Sequence, residues 1–394
     1  MTRPAFRLAH FADTHLGYRA LGRADPFSGR NQRAVDIERA FEAAIDAILA
    51  HDVDLVVHAG DVFHHTRPSW STLRCFVHQM RRIEAAGLPC VVIGGNHDTP
   101  RLRTTGSVFS LLEMALPTIK FVASYDLVEI PLDQFDLRLH ALPHGALTNP
   151  NPEFPVLDHD KRNILITHGL APTVQFRGHH EPADHRLGPE LLAPDFDYVA
   201  LGDFHLFGDQ GRDAWYSGST ERFGWGDESA TPGLLLVDFD PAAEHPAVEH
   251  IPLATRPMKT LAPLDGAERS ARELADLILD RVKATNEPDA LLRIELRQTP
   301  RPTRRETESI LRRESPDLAW SVQVFSPADW FDGKSPVGDA ELPPLRTMFS
   351  TFVAEQATAG AYEPAFAADF DRRGGRALDD AAQLMEAIAG EEPA

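Results

Sequence analysis

Cysteine is almost absent from this chain, which contains only Cys75 and Cys90 in 394 residues. So few cysteines exclude a disulfide-built scaffold and are typical of a reducing compartment, where such residues are small buried apolar side chains. No apolar run approaches the roughly 20 residues of a membrane span. The N-terminus has neither the apolar core nor the cleavage site of a signal peptide. We therefore expect a cytoplasmic protein with no membrane partner.

Basic residues are also scarce. Lys and Arg number 39 against 59 Asp and Glu, which gives a net charge of −20. A chain that binds nucleic acid unaided is expected to carry basic surfaces. Arginines cluster only locally, as at Arg101-Leu102-Arg103. The charge balance therefore predicts weak general affinity for DNA unless bound cations or a partner supply positive charge.

Apolar runs and helical patterns alternate through the first third of the chain. Strands are predicted over 5–12, 54–59 and 90–93, with helices near 31–51 and 69–86. After residue 117 short strands dominate, and they are predicted over 119–123, 125–130, 136–142, 163–167, 197–201, 214–217 and 233–239. This texture predicts an α/β protein with two packed sheets flanked by helices.

The remainder of the chain predicts a second domain and a tail. Residues 1–253 form the first predicted domain, and 254–326 a small α/β domain of βαβαβ pattern. Its second helix is expected to open on a capping box at Thr303-Arg304-Arg305-Glu306. Residues 327–394 are predicted to be a linker and helical tail, with a weak helix near 378–390.

Polar patches follow five of the predicted strands, where ligands gather in open α/β sheets. They are Asp13-Thr14-His15, Gly60-Asp61-Val62-Phe63-His64, Gly95-Asn96-His97-Asp98, Thr167-His168-Gly169 and Gly202-Asp203-Phe204-His205. Carboxylate, amide and imidazole together suit Mn, Fe or Zn better than Ca or Mg. The patches therefore predict two divalent cations side by side and metal-assisted hydrolysis of a phosphate ester.

Residue spacing suggests individual roles in such a site. Asp13 and His15 lie two apart at a strand end, so both side chains leave one face and can reach one ion. Asp61 is the best bridging candidate, because Gly60 lets the backbone approach closely. The other candidate ligands are Asn96, His168, Asp203 and His205.

The five patches together resemble the signature of calcineurin-like metallophosphoesterases. More narrowly, the stretch that begins at Gly60 and carries His64, and the stretch Tyr216–Arg222, resemble DNA-nuclease subunits of the SbcCD type. The resemblance covers about residues 5–255. The βαβαβ domain resembles the DNA-capping domain of that family by pattern only.

The resemblance implies a Mn-dependent DNA nuclease, an exonuclease with endonuclease activity left open, in DNA end processing and repair. It implies that His97 stabilises the transition state or protonates the leaving oxygen, that Asp98 orients His97, and that His64 contacts the scissile phosphate region. It assigns the ligands in two sets, Asp13, His15, Asp61 and His205 for one cation, and Asp61, Asn96, His168 and Asp203 for the other. Candidate substrate-binding residues are Tyr18, Arg67 and Arg222.

Asp203 departs from the family pattern, which has His at this position of the fifth patch. Two alternatives stay open. The second cation site persists with a preference for harder ions such as Mn or Mg, or the site is weakened and activity is low or specialised. A phosphatase or cyclic-nucleotide phosphodiesterase, and a catalytically weak interaction scaffold, are the rival functions. His64 and the second domain argue against the former, and the retained ligands argue against the latter.

The expected partners are DNA and an SMC-like ATPase of the SbcC type. The apolar stripe of the tail around Phe349 and Phe352 is the candidate docking helix for that ATPase, and packing against its own domain is the alternative. A homodimer is a further open possibility.

Overall fold

The apolar runs that end at the first three polar patches form neighbouring parallel strands in this computed structural model. The structure describes residues 3–149, 153–174, 185–192, 194–287, 289–315, 322–325, 345–358 and 363–389. The first sheet has six strands in the order β12-β11-β1-β2-β3-β4. They are β1 (Phe6–Phe11), β2 (Leu55–His58), β3 (Cys90–Ile93), β4 (Ile119–Val122), β11 (Gly233–Phe239) and β12 (Ala247–Pro252).

Strands β1 to β4 are parallel, while β11 and β12 run antiparallel to their neighbours. Three helices belong to this part of the chain, α1 (Gln32–Ala50), α2 (Trp70–Ala85) and α3 (Phe109–Ala115). Their apolar residues Phe41, Phe76 and Leu112 pack with Val56 and Val92 of the sheet in one buried cluster. The helices therefore cover one face of the first sheet.

The second sheet also has six strands, in the order β5-β6-β7-β8-β10-β9. They are β5 (Val128–Leu132), β6 (Leu137–Leu142), β7 (Arg162–His168), β8 (Tyr198–Gly202), β9 (Gly208–Asp209) and β10 (Ala214–Tyr216). Leu139 and Ile164 of this sheet share a buried cluster with Leu8, Val57 and Val91 of the first. The two sheets thus pack face to face, as the sequence predicts.

A short helix α4 (His144–Leu147) follows β6. It joins Leu170, Leu187 and Tyr216 in a third apolar cluster on the outer face of the second sheet. Among the residues that the structure describes, α4 and loop residues rather than long helices therefore pack on this face.

A three-stranded parallel sheet forms the predicted βαβαβ module, built from β13 (Met258–Asp265), β14 (Leu291–Arg297) and β15 (Val322–Phe325). Helices α5 (Ala271–Ala284) and α6 (Arg301–Glu314) cover it, and Ile278, Ile294 and Ile310 share its core. Met1–Ser326 form one compact unit, so the change of sheet near residue 254 lies inside that unit. We refer to residues 258–325 as the capping module.

The predicted capping box at Thr303 is wrong. Helix α6 begins at Arg301, directly after Pro300, so Thr303 lies inside the first turn. Proline is favoured at such starts because its φ is already helical and it lacks an N–H to satisfy. A capping box does occur on α5, where Ser270 and Glu273 exchange side-chain to backbone hydrogen bonds.

The second compact unit spans Pro327–Ala394. The predicted linker, 326–344, lies outside the described residues. Two helices follow, α7 (Leu345–Thr358) and α8 (Pro364–Ala389), and α8 is much longer than the helix predicted near 378–390. They pack through Phe349 and Phe370, whose ring centroids are 5.4 Å apart. Among the described residues, no helix is long and apolar enough to cross a membrane.

Candidate metal centre

The polar patches meet at the carboxyl ends of the parallel strands in both sheets. Asp13 and His15 donate backbone hydrogen bonds to the carbonyls of Gly60 and Asp61, at 3.0 and 2.9 Å, so the first two patches lie side by side. The second sheet joins them through His168, whose Nδ1 donates to the carbonyl of Ala59 at 2.8 Å. This contact turns the His168 ring so that Nε2 faces the centre.

The backbone at four of the patch residues is left-handed. Asp13, His15, Asp61 and Asp203 have φ values of 51°, 40°, 55° and 96°. Strand β1 ends at Phe11, so the expectation that Asp13 and His15 share a face of a continuing strand is wrong. Turns of this kind cost about 1–3 kcal/mol each and occur at functional sites that the surrounding fold can hold in place.

The Asp61 carboxylate lies between two histidines. Its Oδ2 is 3.4 Å from Nε2 of His15 and its Oδ1 is 3.4 Å from Nε2 of His168. Its side chain is 3% exposed, and the backbone N–H of His97 donates to Oδ1 at 2.9 Å. One oxygen thus faces each histidine, which is the arrangement that a bridging ligand requires.

The remaining candidate ligands surround this carboxylate. Two groups of candidate ligands have ligand atoms within 4.8 Å of one another. On one side the group is Asp13, His15 and His205, and on the other it is Asp13, Asp61 and His168. Next to His168 Nε2 lie Asn96 Oδ1 at 3.2 Å and Asp203 Oδ1 at 3.7 Å. The structure thus brings all seven predicted ligands together.

The donor set fits divalent cations. Nε2 of His15 is buried without a hydrogen-bond partner among the described residues, and the Asp61 carboxylate is its nearest charged neighbour. A buried imidazole nitrogen left in this way costs free energy unless a cation or proton occupies it. Asp13, Asp61 and Asp203 add carboxylate charge that two cations would balance.

Three glycines make room for this convergence. A Cβ on Gly95 would lie 2.1 Å from Oδ1 of Asp61. A Cβ on Gly60 or Gly202 would lie 2.4 or 2.7 Å from Nδ1 of His168. Any side chain at these positions would displace a ligand, so the close approach predicted for Gly60 holds at three places.

Burial and neighbouring charge shift the pKa values of the ligands in opposite directions. Burial raises the pKa of Asp13 to about 6. Burial also disfavours charge on Asp61 and on His168, but their mutual attraction prevails, lowering the pKa of Asp61 and raising that of His168. Without cations, His168 therefore holds a proton, and a cation that binds its Nε2 must displace it.

Comparison with known proteins agrees with this geometry. The calcineurin-like phosphoesterase family model matches residues 6–207, more than half of the chain. The chain belongs to this family. The match ends just after His205 and so covers the predicted ligands and both catalytic-histidine candidates.

Several archaeal proteins named "DNA double-strand break repair protein Mre11" are similar to this metallophosphoesterase. The one from Haloferax volcanii is 31% identical over 306 residues, which are 74% of this chain and 61% of the relative. The one from Thermoplasma acidophilum is 29% identical over 54% of this chain and 55% of its own. The one from Halobacterium salinarum is 28% identical over 70% and 68%. The chain thus spans little more than half of the length of the first two.

One functional residue of the metallophosphoesterase site was not predicted. Asp227 lies beside His205, with both carboxylate oxygens 3.3 Å from Nδ1 of the ring. Burial lowers the pKa of His205, but this hydrogen bond and charge raise it overall to about 9. A carboxylate on Nδ1 directs Nε2 toward the cation. Asp227 lies in the loop between β10 and β11, after the Tyr216–Arg222 stretch and outside it.

His97 and His64 border the cavity above the ligands. Nδ1 of His97 lies 3.0 Å from the carbonyl of His64, and Nε2 of His97 lies 4.0 Å from Oδ2 of Asp61. The rings of His64 and His97 stack with centroids 5.0 Å apart. The backbone carbonyl of His64 therefore orients His97, which leaves Nε2 directed toward the centre.

Asp98 contacts the backbone of two loops, and the predicted orientation of His97 by Asp98 stays a prediction. Its carboxylate accepts backbone hydrogen bonds from Val62, Phe63 and Gly95, at 3.0, 3.0 and 3.1 Å. These bonds tie the loop after β2 to the loop after β3. Both loops carry ligands, so Asp98 stabilises the arrangement of the centre through the backbone.

The predicted substrate-binding residues fall into three situations. Tyr18 lines a cavity of about 380 Å³ above the ligands, with its hydroxyl donating to the carbonyl of Phe223 at 2.6 Å. Arg67 is exposed and lines an adjoining cavity that shares His64 and His97 with the first. Arg222 is the third case, and its side chain contacts other loops.

The guanidinium of Arg222 donates to Thr255 Oγ1 at 2.9 Å and to the carbonyl of Ala230 at 2.6 Å. It therefore braces the loops that lead to the capping module. Arg222 lines neither cavity, and its contact with substrate stays a prediction.

The close approach at Gly95 generates a prediction. Gly95→Ala would push the Asp61 carboxylate away, and we expect Mn²⁺ affinity measured by titration calorimetry to fall at least about 10-fold. Gly94→Ala is the matched control, because its Cβ would come no nearer than 3.4 Å to Ala123 and 3.8 Å to Cβ of Asp98. Equal affinities for the two variants would contradict the role given to Gly95.

Proposed function

We propose that this metallophosphoesterase is a two-metal DNA nuclease that hydrolyses phosphodiester bonds during DNA end processing, with Mn²⁺ as its cation. The observation that carries the proposal is the Asp61 carboxylate, which faces His15 with one oxygen and His168 with the other. The names of the similar archaeal proteins supply the substrate class. The whole activity is a proposal, since the alignment covers 61% of the first of these relatives.

The proposed ligand sets follow the two sides of Asp61. One cation is held by Asp13, His15, Asp61 and His205, and the other by Asp61, Asn96, His168 and Asp203. When bound, two cations neutralise phosphate oxygens and lower the pKa of an attacking water. The ligand nitrogens of His168 and His205 have their orientation set by a partner on the opposite ring nitrogen, Ala59 for His168 and Asp227 for His205.

His97 is the proposed acid or charge-stabilising group. Its Nδ1 is engaged by the His64 carbonyl, so Nε2 is the atom that can carry a proton into the cavity. Burial, together with the charge of His97, lowers the pKa of His64 to about 4. His64 is then neutral near pH 7 and can contact the scissile phosphate region through a hydrogen bond rather than through charge.

Arginines beside the centre support DNA as the substrate in spite of the net charge of −20. Arg67, Arg101 and Arg103 all line the cavity of about 900 Å³ that adjoins the ligands. Arg103 also lies over the Tyr125 ring, with its guanidinium carbon 4.2 Å from the ring centroid. This local positive charge provides contacts for a phosphate backbone.

Digestion of end-labelled linear DNA with Mn²⁺ tests the proposal. We expect cleavage of duplex or single-stranded DNA far above hydrolysis of a small phosphodiester, and a loss of roughly 100-fold or more in His97→Ala. His245→Ala is the control, because this exposed ring contacts Asp213 away from the centre. Preference for the small ester would instead indicate a phosphatase or cyclic-nucleotide phosphodiesterase. No Mn²⁺-dependent activity would indicate a scaffold.

Asp203 determines the proposed character of the second cation site. Its Oδ1 lies 3.7 Å from Nε2 of His168, and its backbone N–H donates to the Asp13 carboxylate. A carboxylate here favours harder ions such as Mn²⁺ or Mg²⁺.

Asp203→His restores the family pattern and removes one negative charge. We expect it to change the DNA cleavage rate. We also expect it to change either the Mn²⁺ stoichiometry or the preference for Mn²⁺ over Zn²⁺, both measured by metal analysis. If stoichiometry, preference and rate all match the native chain, Asp203 is not a ligand.

An SMC-like ATPase partner is proposed to dock on the tail helices. Phe352, Phe366 and Phe370 are 48%, 53% and 36% exposed on α7 and α8. We expect a chain truncated after Ser326 to lose co-purification with such an ATPase while keeping its Mn²⁺ binding. Equal recovery of the ATPase with both chains would contradict the docking role.

A homodimer is proposed through α3. Leu111 and Met114 are 60% and 81% exposed on this short helix. We expect Met114→Glu to shift a dimer toward monomer in sedimentation velocity. Val156→Glu, at a residue 83% exposed, is the control and is expected to leave the mass unchanged. A native chain that sediments as a monomer would exclude the dimer.

A further inference from the structure

The turn that carries Asp227 lies between the metal centre and the capping module. It is a single 3₁₀ turn, Trp225–Asp227, followed by Glu228. Toward the centre, Asp227 contacts His205 and accepts backbone hydrogen bonds from Phe223 and Gly224 at 2.9 and 3.3 Å. The turn therefore supplies the group that orients one proposed ligand.

The residues on either side of Asp227 contact the module. Glu228 accepts hydrogen bonds from the backbone and side chain of Thr260 on β13, and pairs with Arg293 on β14 at 3.3 Å. Trp225 donates from its indole N–H to Gln323 on β15. The Arg293 guanidinium also lies 4.8 Å from the Trp225 ring centroid. All three module strands thus contact this one turn.

A second attachment of the module is independent of the turn. Arg256, just before β13, forms a two-pronged ion pair with Asp36 on α1, at 2.7 and 2.9 Å. The Arg256 and Asp36 side chains are only 12% and 6% exposed. This pair involves no residue of the turn, so we expect the module to stay attached when the contacts of Glu228 are removed.

We propose that Trp225, Glu228 and Arg293 are positioning residues, through which the capping module holds Asp227 against His205. The inference rests on the proposed metal centre but concerns how that centre is held. Its consequence is that a displacement of the module changes the orientation of a ligand, as well as access to the cavity that Gly224 and Gly226 line.

The test compares Glu228→Ala and Arg293→Ala with Glu295→Ala. Glu295 is the matched control, because it lies on the same strand and pairs with Arg297 within the module. Titration calorimetry measures Mn²⁺ binding. We expect about 3- to 10-fold weaker binding at one site in the first two variants, less than the roughly 10- to 100-fold loss of Asp227→Asn. The double variant Glu228→Ala/Arg293→Ala is expected to lose little more than the worse single one.

A spectroscopic signal makes the test independent of the metal. The Nδ1–H proton resonance of His205 in cation-free protein, assigned by its loss in Asp227→Asn, should shift or broaden in Glu228→Ala and Arg293→Ala but not in Glu295→Ala. Unchanged resonance and affinity in both variants would overturn the positioning role. If the native chain binds no Mn²⁺ but the resonance still responds, the proposed function fails and the positioning role stands.

Discussion

The buried carboxylate of Asp61 is the constraint on which the rest of the site depends. Its oxygens must reach His15 and His168 at once, although these histidines come from different sheets. That demand accounts for the left-handed backbone at Asp61 and for the absence of a side chain at Gly95, which would collide with the carboxylate. The fold can hold this strained backbone in place because buried apolar clusters pack on both faces of the first sheet.

Bound cations would balance the buried carboxylates of the centre better than protonated histidines do. Burial raises the pKa of Asp13 to about 6, while His168 and His205 hold protons in the absence of metal. The carboxylates and the protonated histidines thus neutralise one another only in part. Holding a charged imidazole in a buried site also costs free energy. Divalent cations satisfy the same oxygens and nitrogens together, so binding them releases protons and relieves repulsion among carboxylates.

The sequence was informative where chemistry follows a strand end and uninformative where it depends on distant loops. Asp61 and His168 could be placed because each lies at the end of an apolar run that predicts a strand, and the carboxyl ends of such strands gather ligands. Asp227 could not, since it lies 22 residues after His205, outside the strand-end patches and outside the Tyr216–Arg222 stretch. The hydrogen bonds of Arg222 could not be predicted either, because its acceptors Thr255 and Ala230 lie outside the family-like stretch to which it belongs. The start of α6 followed Pro300 rather than the Thr303 pattern, because the fixed φ of proline decides a helix start locally.

The hydrogen bond from His168 to Ala59 joins two parts of the chain that are synthesised at different times. Residues up to Asn96 leave the ribosome before the second sheet exists, and they already carry Asp13, His15 and Asp61. His168, Asp203 and His205 arrive only when β7 and β8 have docked against the first sheet. A chain made only as far as Asn96 therefore lacks His168, Asp203 and His205, so the proposed cation sites can form only when the two sheets pack together.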